Sequence, residues 1–405
     1  LGDVYKRQGM LKAQVTTAGM SGKVMADEES VIGATVVAVH EPSGTSYGTV
    51  TNVDGRFSLQ GMRSGGPYKV TVSYIGYQTA IYTGIQLQLG ETYSLNVTLH
   101  EASELLGEIT ITASKSKFSA EKTGATTNIS SEQLTTLPSI NRSISDFTRI
   151  SPYASGNSFG GRDGRSNTFT VDGANLNNNF GLSSGLPGGG NPISLDAIDE
   201  VQVVIAPYDV RQANFIGAGI NAITKSGTNA YRGSAYMYFN NEVMRGNKIG
   251  DTDFGARAEE SKTVYGATFG GPIIKDKLFF FANVEYEKSP QQVITWRAAK
   301  EGEDPNNSTI SRTTEADLAE FSQILKDKYG YNTGSFTDFP ADVTNLKLLG
   351  RIDWNINQGN KLSVRYNFTN NKTWEAPNGS SGNTGYRLAY NRVSAYSMSY
   401  ANSCY

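Results

Sequence analysis

The chain holds a single cysteine, Cys404, so no disulfide can form within it and no thiolate cage can bind a metal. Its two histidines, His40 and His100, have no second ligand at helical or hairpin spacing. No run of about eighteen apolar residues occurs, which excludes a membrane-spanning helix. It leaves open a β-barrel, whose strands are short and alternate. The glycine-rich "GLPGGG" (185–190) lacks the lysine and hydroxyl that grip a phosphate, and no G-x-S-x-G is found. Neither nucleotide hydrolysis nor serine catalysis is expected, no catalytic or metal residue is assigned, and no cofactor is required. Lys plus Arg (36) nearly balance Asp plus Glu (38), so no nucleic-acid partner is indicated.

Glycine (44) and tyrosine (22) are abundant while charged residues make up only 18%, a profile that suits a mainly β protein with many turns. The ends are unusual. "LGDVYKRQ" matches nothing downstream, and "MLKAQ" (10–14) resembles the tail of a secretory signal with cleavage near Ala13. Residues 1–18 are therefore set aside as a spurious start and signal-peptide remnant. The last residues, "SAYSMSYANSCY", stop inside what reads as a strand, so the expectation is an N-terminal fragment of a longer protein.

Three regions follow. Residues 19–100 contain β-branched and aromatic runs at 34–40, 47–52, 56–60, 68–76 and 93–99, separated by turn signals such as Asp54-Gly55. That spacing predicts a small β-sandwich. "TNVDGRFSL" and "SYIGYQ" resemble the carboxypeptidase regulatory-like domain, which carries no peptidase chemistry. Asn52 and Asp54 fit a turn better than a calcium site, because few other oxygen ligands lie near them.

Residues 101–226 mix helix and strand. "SSEQLTTLP" (130–138) and "NRSISDFTRISP" (141–152) each begin at an N-cap residue and end at proline. "TFTVDG" and "INAIT" predict strands, and "SLDAIDEVQVVIAP" (194–207) a short helix leading into a strand. The result is an α+β unit with long polar loops.

Residues 227–405 read as alternating strands, and in 345–368 an oily residue falls at nearly every second position. Leu346, Leu348, Ile352, Trp354 and Ile356 share one parity, and Lys347, Arg351, Asp353 and Asn355 the other. The same holds for Leu278, Phe280, Ala282, Val284 and Tyr286 against Asn283, Glu285 and Glu287. Connections alternate long (241–262), short (272–277), long (289–344), short (357–360) and long (371–385). Strands of this length with tight turns at one end and long loops at the other predict the first strands of a truncated transmembrane antiparallel β-barrel, oily towards lipid and polar towards the lumen. A soluble sandwich also alternates but does not explain the loop lengths. Within the loop 289–344, "TTEADLAEFSQILKDKYG" (313–330) predicts a helix with a capping-box start and a glycine end.

A sandwich, a polar α+β unit and a barrel in that order resemble the TonB-dependent outer-membrane receptors of the Bacteroidota. "TFTVDGANLNNNF" (168–180) and "AGINAITKSGTNAYRGSAYMYFNN" (218–241) are most similar to the Oar-like branch. The starch-utilisation-type branch, a glycan importer with a surface lipoprotein, carries a "KDASAAAIYGSRG"-like segment where this chain reads "IAPYDVRQANFIGAG" (205–219). The resemblance implies that 101–226 is a plug inside the barrel lumen. It implies a place in the cell outer membrane, surrounded by lipid, with sandwich and linker in the periplasm and long loops outside. It also implies import of a large or scarce nutrient, powered by the proton-motive force through TonB and its inner-membrane energising complex.

"GEITITA" (107–113) resembles the TonB box, which assigns Glu108, Ile109, Thr110, Ile111 and Thr112 to that partner. A short β-competent run beside a flexible stretch can add as a strand to a partner's sheet edge. The plainer alternative is the first strand of the plug or the last of the sandwich. Candidate substrate contacts are Arg162, Asp163, Arg165, Asn175, Asn177, Asn178 and Asn179, each equally well read as a solvated turn residue. Tyr153 and Phe180 offer stacking surfaces. A competing function, a barrel-anchored adhesion or secretion protein, has no need of the strand at 108–112.

Overall fold

The computed structural model describes residues 15–26, 29–101, 109–112, 125–139, 142–177, 186, 191–207, 212, 215–253, 260–290, 297–303, 310–334, 343–357, 359–374 and 396–404. Three bodies follow one another along the chain, and all three are built mainly from strands.

The first is a sandwich of β1 (Ala18–Ala26), β2 (Glu29–Ser30), β3 (Thr35–His40), β4 (Thr45–Val50), β5 (Arg56–Met62), β6 (Gly65–Ser73), β7 (Ala80–Leu87), β8 (Thr92–Ser94), β9 (Val97–Leu99) and β10 (Ile109–Thr112). One sheet runs β2-β1-β5, with β8 and β9 parallel on β1; the other runs β10-β7-β6-β3-β4. Met20, Val24, Phe57, Tyr68 and Val70 fill the core they share. Strands β1 and β7 escaped the sequence reading. β1 carries two glycines and only one β-branched residue, and β7 is interrupted by Gly84 at φ 77°. Packing overrides weak local propensity in β1, while β7 is rich in strand formers (Ile81, Tyr82, Thr83, Ile85) on both sides of its glycine. At the β4–β5 turn Asn52 accepts from the backbone N–H of Asp54 (3.0 Å) and of Arg56 (2.8 Å), which is the turn geometry expected there.

The middle body contains β11 (Ala125–Ser130), α1 (Ser131–Thr136), α2 (Ile144–Thr148), the hairpin β12–β13 (Ala154–Ser155, Ser158–Phe159), β14 (Thr168–Val171), β15 (Ala174–Asn175), β16 (Ile198–Ala206) and β17 (Gly219–Thr224). Both helices start with a capping box, on Ser130/Gln133 and Ser143/Asp146. The predicted helix before β16 is a single 3-10 turn, Leu195–Ala197. The sheet runs β11-β16-β17-β14-β15 over a core of Phe147, Phe159, Phe169, Ile198 and Val203.

The third body is one antiparallel sheet, β18-β21-β22-β25-β26-β27, in which every neighbour is the next long strand of the chain. Its strands are β18 (Arg232–Asn241), β21 (Ser261–Ile274), β22 (Leu278–Lys288), β25 (Thr344–Asn355), β26 (Lys361–Trp374) and β27 (Tyr396–Cys404). Between them lie the small pairs β19–β20 (Lys248–Ile249, Thr252–Asp253) and β23–β24 (Arg297–Ala299, Ile310–Thr314) and the helix α3 (Glu315–Tyr329). Among the described residues the sheet does not close on itself; it is an arc of wall.

Two boundaries differ from the sequence reading. Gly271-Pro272 looks like a turn but lies inside β21, where a register shift between Pro272 and Ile274 accommodates the proline. β26 runs on to Trp374, past the polar stretch 369–373, because backbone pairing with β27 continues from Tyr366 to Trp374. Helix α3 has the expected cap on Thr314 and the left-handed Gly330, yet of its apolar stripe Leu318 is buried while Phe321 is exposed.

Candidate functional site

Burial along the wall is inverted relative to a soluble sheet. On β25, Leu348, Ile352 and Trp354 are 36%, 47% and 45% exposed, whereas Lys347, Arg351 and Asp353 are 2%, 9% and 8% exposed. Strand alternation sends one parity to each face, and here the charged parity points to the inside of the arc. Hydrocarbon on the outer face makes that arrangement favourable; water there would not.

The buried charges meet the middle body along a polar seam. Arg351 donates to Asp353 (Nε to Oδ2, 2.7 Å) and to the carbonyl oxygen of Thr224 (2.5 Å) at the end of β17. Asp172, in the β14–β15 turn, accepts from the Thr224 N–H (3.0 Å) and hydroxyl (2.6 Å). Its other neighbours are Arg365 (3.4 Å) and Arg351 (3.9 Å). Asp172 holds φ at 49°, a left-handed conformation that aspartate tolerates better than most side chains. A second cluster centres on Glu285, which takes Lys347 (2.9 Å), the Ser194 hydroxyl (2.7 Å) and the Tyr236 hydroxyl (2.9 Å). Arg142 of the middle body pairs with Asp196 and lies 3.6 Å over the Tyr238 ring of β18. Thr369 donates to the Pro192 carbonyl at 2.6 Å. Apolar contact across the seam is small by comparison: Phe281 and Leu349 join the middle body's core.

Sequence reasoning found the wall's charged parity, including Arg351, Asp353 and Glu285, but missed the partners. Asp172, Ser194 and Thr224 are ordinary turn and strand residues until the chain folds back on the wall.

The sandwich sits at the short-turn end of the wall. Asn355 donates to Thr45 (2.9 Å), the Asn229 N–H to the Pro42 carbonyl (2.8 Å), and Arg63 contacts Ser226 and Asp353. Lys361 lies 3.3 Å over the Tyr47 ring. Behind this contact His40 is buried, bonded through Nδ1 to Ser43 (2.7 Å). Burial, helped by the positive Arg63 and Lys361, pushes its pKa down to about 3.

The segment assigned to a TonB box folds as β10, parallel to β7 at the sandwich edge, with Ile109 opposite Ala80 and Thr112 opposite Thr83. Glu108 lies outside the described residues. Of the candidate substrate contacts, Arg162, Asp163 and Arg165 are exposed, and Asp163 accepts from the Arg165 backbone (2.8 Å) and side chain (2.9 Å). Those bonds hold the Asp163 carboxyl below its usual range. Asn175 caps the Asn177 N–H (2.8 Å), and Asn177 in turn accepts from Phe169 (2.6 Å) and donates to Asn167 (2.9 Å). Asn177 is thus a scaffold residue of the β14–β15 turn. Asn178, Asn179 and Phe180 lie outside the described residues, and Tyr153 is exposed.

Comparison with known proteins agrees with this architecture. Residues 19–100 match the carboxypeptidase regulatory-like domain and residues 223–402 match an outer membrane beta barrel domain. The class is therefore an outer-membrane β-barrel protein with an N-terminal regulatory-like sandwich. A curated relative, the TonB-dependent transporter Oar of Myxococcus xanthus, is 25% identical over 343 residues, covering 80% of this chain and 30% of its own length. The chain is thus similar to a TonB-dependent transporter and spans under a third of that relative's length. Two solved structures are also similar. The siderophore receptor PirA from Acinetobacter baumannii has 20% identity and a TM-score of 0.39, covering 64% of this chain and 32% of that one. The outer membrane transporter YddB from Escherichia coli has 15% identity and a TM-score of 0.42, covering 62% and 34%.

Proposed function

We propose that the protein imports a large or scarce nutrient across the outer membrane, with residues 101–226 as a plug in the barrel lumen and TonB as the energy-coupling partner. The observation that carries this reading is the seam. The middle body is held to the wall by many ion pairs and hydrogen bonds, with Phe281 and Leu349 the wall residues that join its apolar core. A polar contact can exchange its partners for water when the plug shifts, while a continuous apolar core would resist at every step.

The short turns at 275–277 and 356–360 and the sandwich share one end of the wall, which supports a periplasmic position for that end and an external one for the long loops. The run Glu108–Thr112 is the segment TonB would take as an added strand. The chemistry of the cargo is left to the long loops and to the exposed Arg162, Asp163 and Arg165.

Deleting residues 108–112 from the full-length receptor tests the reading. Uptake of the cargo is expected to fall to background while heat-modifiable barrel and surface exposure of the loops stay normal. Undiminished uptake by that variant would leave the protein as an anchored adhesion or secretion component.

A further inference from the structure

One sandwich loop grips the edge of the middle sheet. Strand β7 ends at Leu87, and Gln88–Glu91 follow directly. Leu89 is fully buried. Its backbone N–H donates to both carboxyl oxygens of Glu200 (3.0 and 3.1 Å), and its carbonyl accepts from Gln202 (2.5 Å). Asn128 donates to the side chains of Gln88 (3.3 Å) and Glu91 (3.1 Å) and to the Leu89 carbonyl (3.4 Å). Gly90, at φ 71°, passes so close to Gln202 that a Cβ there would lie 2.6 Å from its amide nitrogen.

These contacts occupy one place in the register. Asn128 of β11 stands directly opposite Gln202 of β16, and Ser130 opposite Glu200. Among the described residues β11 is the edge strand, bonded to β16 alone. It is also the first strand of the middle sheet after β10, so tension applied at 109–112 reaches this sheet at Ala125. Peeling β11 from that end frees Ala125, Thr126 and Thr127 and then meets the loop at Asn128. The loop belongs to a body that is itself tied to the wall through Thr45–Asn355, Pro42–Asn229 and Arg63–Asp353.

We propose that loop Gln88–Glu91 is a staple: it pins the β11/β16 pair of the middle sheet to the sandwich, and through it to the wall, and sets how readily β11 peels away. The sandwich then has a mechanical role. It bounds the part of the middle body that opens under tension and holds the remainder in register. The link to tension rests on the import reading above, while the staple itself is a property of the resting protein.

Hydrogen exchange of the full-length receptor in a bilayer tests the staple without TonB. Asn128→Ala with Gln202→Ala is expected to speed exchange of the amides of 125–130 about tenfold, with β22 and β25 unchanged. Glu200→Gln, which keeps an acceptor for Leu89, is expected to stay near the parent rate. Unchanged exchange at 125–130 in the double variant overturns the staple, as does an equal rise in the wall strands. A second protein, Gln88→Cys with Asn128→Cys bridged by a short thiol-reactive linker, keeps the test open where the alanine pair fails to fold. Bridging should slow exchange at 125–130 and suppress uptake, and no change in either overturns the proposal. Loss of the import reading shows separately, as uptake insensitive to deletion of 108–112.

Discussion

Arg351 of the wall donates to the carbonyl oxygen of Thr224, 2.5 Å away, so the last strand of the middle sheet ends on a charge supplied from a strand 127 positions later in the chain. Because Arg351 also holds Asp353 and faces Asp172, it is shared by both carboxylates, beside Arg63 on Asp353 and Arg365 on Asp172.

Arg351→Leu should therefore break the buried pair with Asp353 and leave Asp172 with Arg365 as its remaining cation. The expected cost is about 3–5 kcal/mol, the range for breaking a buried pair by removing one partner. Limited proteolysis of the receptor in membranes should show the middle body cut sooner, with the wall strands still protected.

Ile352, next along the strand, makes the opposite prediction. It is about half exposed on the outer face, where a soluble protein would accept arginine with little effect. In a bilayer Ile352→Arg should destabilise the barrel by roughly 2–4 kcal/mol at mid-depth, read as reduced folding into lipid vesicles. Equal folding yields for parent and variant would contradict a lipid-facing surface.

His40 should make the sandwich acid-sensitive. Its folded pKa, about 3, lies below the ordinary value of 6.5, so only the unfolded chain takes up a proton between those values. Stability is then full above pH 6.5 and falls towards pH 3, by up to about 1.4 kcal/mol per pH unit. Thermal midpoints at pH 7 and pH 5 should differ less in His40→Gln than in the parent.

Glu200 runs the other way. Burial, reinforced by the charges of Asp199 and Glu91, pushes its carboxyl up to about 8, above the ordinary 4.5. The Leu89 N–H favours the ionised carboxyl, but burial outweighs it, so the docked arrangement should be most stable below pH 4.5 and lose stability as pH rises through 8. Exchange at 125–130 should rise between pH 6 and pH 9 after correction for intrinsic rates, and Glu200→Gln should remove that rise.

Asn177→Ala separates scaffold from contact. Its amide accepts from Phe169 and donates to Asn167, so its loss should cost about 1–3 kcal/mol locally. Arg165→Ala, at an exposed pair, should leave stability within about 0.5 kcal/mol. A drop in cargo affinity with Arg165→Ala alone would mark a genuine contact.

The residues themselves determined a great deal. Period-two alternation in 345–368 dictates a two-faced sheet, because a strand's side chains must point to opposite sides. Loop lengths named the end at which the turns are tight, and Ser130, Ser143 and Thr314 carry their helix starts in local sequence. What local sequence does not carry is who meets whom. β1 has weak propensity and exists because other strands bury it. Ile109–Thr112 is equally suited to a free segment or a docked strand, and only the neighbouring edge of β7 decides its resting place. Asp172, Glu200 and Gln202 owe their roles to partners 111 to 193 residues away. A hydrogen bond of that range depends on the relative placement of whole bodies, and that placement belongs to the tertiary structure alone.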